Sequence, residues 1–277
     1  MLKQRVITAV ALLAILLAAA GAGRLAFDAV LALLLGAASF EWLRLAQHST
    51  RICVAASAVF AAYLIAVQAS SRGPSEAILG LLLVAASVCW CLIAVLVVRG
   101  AHRGARVPHA VSTVLAFLLL AAAWYAAMRF IDVGLPYLLS VLAIVWLADI
   151  AAYFSGRRWG RRKLAPAISP GKTWAGVAGA LAAVLAGAML TVRLVPDAPV
   201  FSTLLQQRLA TGAALAVLAA LVGLSIVGDL FESLLKRQVD VKDAGHLLPG
   251  HGGVLDRIDA SIAVLPVAAL IDLWLRR

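Results

Sequence analysis

The chain has 277 residues, of which 64% are hydrophobic and only 13% charged, and its mean hydropathy is +1.01. That balance excludes an ordinary water-soluble domain, and repeated apolar runs of about 18 residues or more read as membrane spans. The net charge of +11 would suit a nucleic-acid binder, but a bilayer imposes the same Lys and Arg excess through topology and anionic headgroups, so no nucleic-acid partner is expected.

The first apolar run covers residues 6–22, after the basic start MLKQR. It has the outline of a signal peptide, yet AAAGAG leads almost directly into the next span, so a retained helix is expected. Further spans fall at residues 25–46, 52–69, 77–98, 111–130, 137–154, 174–195, 209–230 and 254–275, giving about nine transmembrane helices in all. The expected fold is an all-α polytopic membrane protein, one bundle with an N-terminal part at 1–136 and a C-terminal, catalytic part at 137–277. A cytoplasmic N-terminus puts most Lys and Arg inside, and with them the two charged loops at 155–173 and 232–253.

The N-terminal spans carry little chemistry. Asp28, Glu41, Trp42 and Arg44 read as interfacial anchors or helix-end ion pairs. His102 and His109 fall in a basic connection that reads as a positive-inside loop. Cys53, Cys89 and Cys91 sit in apolar runs without His or acidic neighbours and read as packing residues.

From Asp149 the character changes. Asp149 and Tyr153 share a helix face, and the loop that follows is rich in Arg and Lys. Ser169, Lys172 and Thr173 place two hydroxyls and an ammonium just before a helix start, where exposed amides add donors for phosphate oxygens. GKT resembles the end of a P-loop, but the earlier glycine and preceding strand are missing, so that motif is rejected and phosphate binding kept.

The densest charge lies at residues 228–259. Asp229, Glu232, Ser233 and Lys236 follow helical spacing and form one stripe if the span continues beyond the membrane surface. A turn-rich segment follows, with His251 between glycines, and then Asp256 and Asp259 share a face at the start of the last span. Oxygen donors from two helix ends, Asp229 and Ser233 with Asp256 and Asp259, suit Mg2+. Lys236, Arg237, Lys242 and Arg257 can hold the remaining phosphate charge. The reaction class is therefore metal-assisted phosphoryl or nucleotidyl transfer, with a CTP-dependent lipid-alcohol kinase and a membrane transporter as the alternatives.

The spacing of Ser233, Lys236, Arg237, Lys242, Asp243, Gly245, His251, Gly252, Gly253, Asp256, Arg257 and Asp259 resembles the signature of the phosphatidate cytidylyltransferases, also called CDP-diacylglycerol synthases. Asp149, Tyr153, Gly156, Gly160, Lys163, Leu164, Pro166 and the run Ser169 to Trp174 are similar to that family too. Ala175 and Ala244 depart from the side chains common there without removing a proposed metal ligand.

The resemblance implies a bacterial inner-membrane enzyme of phospholipid biosynthesis that joins CTP and phosphatidate into CDP-diacylglycerol and pyrophosphate. It implies Mg2+ with a second, monovalent cation such as K+, and assembly as a homodimer. By position, Asp229, Ser233 and Asp256 correspond to metal-site residues with Asp259 close by, and Lys236 to a phosphate contact. Asp229, Lys236 and Asp256 form the catalytic set. Ser169, Lys172 and Thr173 correspond to a second substrate element, while Asp243 and His251 complete the substrate-binding set and the role of His251 stays open. The lipid keeps its acyl chains in the bilayer while the nucleotide arrives from the cytoplasm, so the expected site is a funnel at the inner face walled by the sixth to ninth spans.

Overall fold

A computed structural model describes residues 11, 14–70, 75–103, 105–248, 250 and 252–276. The expected span at 6–22 lies largely outside the described residues, although residues 14–22 are helical. Among the described residues eight further helices are long and apolar enough to cross a membrane: α1 (Arg24–Leu45), α2 (Thr50–Ala69), α3 (Glu76–Gly100), α4 (His109–Val133), α5 (Leu135–Trp159), α6 (Trp174–Leu194), α8 (Thr211–Gln238) and α9 (Leu255–Leu275). Each matches a predicted span to within a few residues, except that α8 runs on well past the apolar stretch.

Three short elements fill the connections. β1 (Lys163–Ala165) and β2 (Ser169–Thr173) form an antiparallel hairpin between α5 and α6, and α7 (Phe201–Arg208) is a brief helix between α6 and α8. The hairpin corrects the expectation of an irregular loop from 155 to 173, since α5 continues to Trp159 and the strands take up most of the rest.

Local chemistry sets the helix ends. Ser75 caps α3 by accepting from Ile78 N at 3.4 Å, and Thr173 caps α6 by accepting from Gly176 N at 3.2 Å. Gly134 alone separates α4 from α5, at φ +146°, where a side chain would be strained.

Without a hydrophobic drive between helices in lipid, close approach depends on small side chains. At the α8–α9 crossing, a Cβ on Gly228 would lie 2.6 Å from Asp259 O and 3.0 Å from Ala260 Cα. Gly156 and Gly176 play the same part where α5 meets α6. Larger residues fill the interior between α1, α3 and α8. There Phe231 takes Trp42 and Trp90 edge-on, at centroid separations of 6.0 and 5.9 Å.

Buried acids away from the charged loops have partners. Asp28 accepts from Trp124 Nε1 at 2.6 Å. Asp272 of α9 takes Tyr137 Oη at 2.5 Å and Arg276 Nε at 2.8 Å, tying α5 to the far end of α9. Asp272 lies sixteen helical steps beyond Asp256, which places these contacts roughly 24 Å along α9 from it.

Candidate active site

Because α8 stays helical to Gln238, Asp229, Glu232, Ser233 and Lys236 do share one face. Lys236 Nζ lies 2.5 Å from Glu232 Oε2 and 2.6 Å from Asp256 Oδ1, so one ammonium serves two carboxylates. All three are well buried, the Asp256 side chain being 4% exposed and that of Glu232 5%. At this depth the attraction is strong and the loss of one partner costly.

Asp256 is further engaged through its second oxygen. Oδ2 accepts from Gly253 N at 2.8 Å and Ala244 N at 3.0 Å. Three donors leave about one of a carboxylate's four lone-pair directions for a further ligand. Asp256 also ties Lys236 to the glycine-rich loop ahead of α9. Gly252, at φ +83°, completes that loop, and a Cβ there would stand 2.9 Å from Asp256 Oδ2.

A second group centres on Asp229. Lys172 Nζ reaches Asp229 Oδ2 at 2.6 Å, and Ser233 Oγ donates to Oδ1 at 3.4 Å. Asp149 of α5 and Asp259 of α9 both lie near enough to feel the charges of Asp229 and Lys172. Three helices thus bring like charges to one place, with Lys172 as countercharge and Arg257 acting on Asp149 as well. Among the described residues no three acidic, His or Cys side chains stand together as a ready metal site. The donor chemistry nevertheless fits Mg2+, which takes hard oxygens from one or two carboxylates and completes its shell with water and phosphate.

The hairpin delivers Lys172. Lys163 pairs with Thr173 and Ala165 with Ser169, and Ala165 and Ile168 are wholly buried beneath. Of the three residues expected to bind phosphate, Lys172 alone has a charged partner in the acidic group. Thr173 is buried, its hydroxyl committed to capping α6 and its side chain lying against Gly156 and Gly160. Ser169 sits at the other end of the strand, half-buried. Arg237 Nε donates to Ile168 O at 3.4 Å, supporting the hairpin turn. Lys242 and Asp243 are exposed on the loop, and His251 lies outside the described residues.

Both carboxylate groups open on one cavity of about 710 Å³. Asp149, Asp229, Lys236, Asp256, Arg257 and Asp259 line its polar end, and Asp243 reaches it too. The rest is apolar, with Phe27, Leu31 and Leu34 from α1 facing Leu138, Leu142 and Trp146 from α5. The walls come from α1, α4, α5, α8 and α9 together with Leu16 and Leu17. This corrects the expected funnel, because two of the early spans form the apolar side and α6 is absent from the described lining.

Sequence reasoning missed Glu41. It is not an interfacial anchor, being 1% exposed, with Oε2 accepting from Leu255 N at 2.8 Å. An acid inside an apolar helix was the available signal. Glu232 and Asp149 were visible in the spacing but were not assigned to the site. Both line its polar end.

Fold and site together define an all-α polytopic membrane protein whose charge-lined pocket opens directly into an apolar chamber. The chain belongs to the cytidylyltransferase family, whose model matches residues 3–274. It is 40% identical to a phosphatidate cytidylyltransferase of Pseudomonas aeruginosa over 99% of this chain and 97% of that protein. Phosphatidate cytidylyltransferases of Haemophilus influenzae and Bacillus subtilis are 48% and 42% identical. In each of those two the match takes in 48% of this chain, and it spans 44% of the Haemophilus protein and 46% of the Bacillus protein, less than half of either.

Proposed function

We infer that the protein is a phosphatidate cytidylyltransferase, transferring CMP from CTP to phosphatidate with release of pyrophosphate. Family membership favours this over the kinase and transporter readings. The observation that carries the assignment to this site is the cavity, whose charged end suits phosphates and whose apolar end suits acyl chains.

The phosphatidate phosphate is already anionic near neutral pH, so attack on the α phosphorus needs no strong general base and no covalent enzyme intermediate. The difficulty is to bring two anions together. Lys172, Lys236 and Arg257 offer cationic groups beside the carboxylates and offset that repulsion. Apolar residues of α1 and α5 hold the acyl chains, so that the lipid phosphate lies at the charged end.

Asp229, Ser233, Asp256 and Asp259, with Asp149 beside them, are the residues that would hold Mg2+. When bound, the ion supplies positive charge to the triphosphate and to the departing pyrophosphate. A second, monovalent cation such as K+ beside these residues belongs to the same reading. The polar end faces the cytoplasm of a bacterial inner membrane in this reading, supported by the basic residues around it and by the source of CTP. Pairing of two copies remains part of the proposal.

Purified protein supplied with CTP, phosphatidate and Mg2+ is expected to form CDP-diacylglycerol and pyrophosphate in equal amounts, and a chelator to stop both. Absence of the liponucleotide from folded protein would overturn the assignment.

A further inference from the structure

We propose that Glu41 is a positioning residue for this reaction: its carboxylate, delivered from α1, caps the start of α9 and so fixes the turn that carries Asp256, Arg257 and Asp259. The inference rests on reading that turn as part of the transferase site.

A helix start leaves several amides without intrahelical partners. The N-cap residue of α9 is Val254, which has no side-chain acceptor to offer them. Glu41 supplies one from 214 residues away, its Oε2 accepting from Leu255 N at 2.8 Å. A negative group is favoured at that end of the helix dipole. Without such a partner, a carboxylate buried this deeply in an apolar helix would be strongly disfavoured.

The surrounding loop is shaped to admit this carboxyl group. A Cβ on Gly245 would run into Glu41 Oε1, and one on Gly253 would lie 2.5 Å from Oε2. Asp256 holds the same loop from the opposite side, through Ala244 N and Gly253 N. Two carboxylates therefore hold the backbone at Ala244, Gly253 and Leu255, one from α9 itself and one from α1. Among the described residues Glu41 Oε1 has no hydrogen-bond partner, so the single acceptor oxygen Oε2 meets the requirement. The geometry thus assigns Glu41 a role that needs an acceptor and no charge.

That distinction gives the test. Full-length protein, E41Q, E41A, G245A and the E41A/G245A double variant would be purified in the same detergent and lipid, and kcat, both KM values and melting temperature measured. CDP-diacylglycerol formation by the unaltered protein is the control. Its absence would refute the functional assignment itself, a result distinct from failure of this inference.

For E41A we expect kcat to fall about 10²-fold, as small displacements of a reacting constellation do, with KM for CTP within about threefold of the unaltered value. E41Q should keep kcat within about threefold. G245A should lower kcat where Glu41 is present and add nothing once Glu41 is Ala. Unimpaired E41A would overturn the proposal. So would E41Q as defective as E41A, since that would mean the charge acts directly. If E41A does not fold, E41Q and G245A decide: an active E41Q with an impaired G245A supports the proposal, and any other combination overturns it.

Discussion

Lys172 of the hairpin and Asp229 of α8 meet at 2.6 Å, an ion pair that joins a surface strand to the carboxylates lining the cavity. Both side chains are partly exposed, at 22% and 33%, so an anionic substrate can reach and exchange with the pair.

Lys172→Ala should therefore weaken nucleotide binding more than turnover. Removing the countercharge leaves Asp149, Asp229 and Asp259 facing the triphosphate. We expect KM for CTP to rise about tenfold, equivalent to about 1.4 kcal/mol. Steady-state kinetics with each substrate varied in turn would show it, and unchanged KM values for both would contradict the assignment.

Lys236 is held differently, buried between Glu232 and Asp256. Lys236→Met should cost about 3–5 kcal/mol of stability, because two carboxylates lose the ammonium they share. Adding Glu232→Gln removes one of those charges and should restore much of the melting temperature without restoring turnover. Thermal unfolding in detergent, followed by activity assays, separates the two effects.

At the α8–α9 crossing, Gly228→Ala should cost about 1–3 kcal/mol by overpacking. The added methyl would press on Asp259 O and Ala260, so turnover should fall further than stability alone explains. Activity compared at temperatures well below each melting point would reveal the excess.

In the apolar part of the cavity, Leu142→Trp should raise KM for long-chain phosphatidate and leave KM for CTP unchanged. Leu142 lines the apolar part, about two helical turns along α5 from Asp149, so filling it removes acyl space only. Equal effects on both substrates would mean that the chamber is not where the lipid lies.

Much of this arrangement was legible in the sequence, for a physical reason. A span of about 20 apolar residues is forced by bilayer thickness, so α1 to α6, α8 and α9 could be placed by composition alone. The stripe of Asp229, Glu232, Ser233 and Lys236 followed from helical spacing and depended only on α8 continuing past Leu230. The hairpin was harder to see, since three- and five-residue strands around a turn carry too little periodicity to announce a register. Thr173 looked like a free phosphate donor because capping a helix and binding phosphate call for the same residue in the same place. The hold of Asp256 on the loop was invisible because two of its donors are backbone amides, which leave no mark on residue type. Glu41 was passed over because its partner lies 214 residues away; an acid inside an apolar helix signals burial but does not name the partner.

The fate of label from CTP tests the central claim most directly. With phosphatidate, Mg2+ and purified protein, label at the α phosphate should appear in the lipid fraction and label at the γ phosphate should leave as pyrophosphate. Transfer of the γ label to lipid, or retention of both labels in the aqueous phase while the protein is folded, would contradict the account.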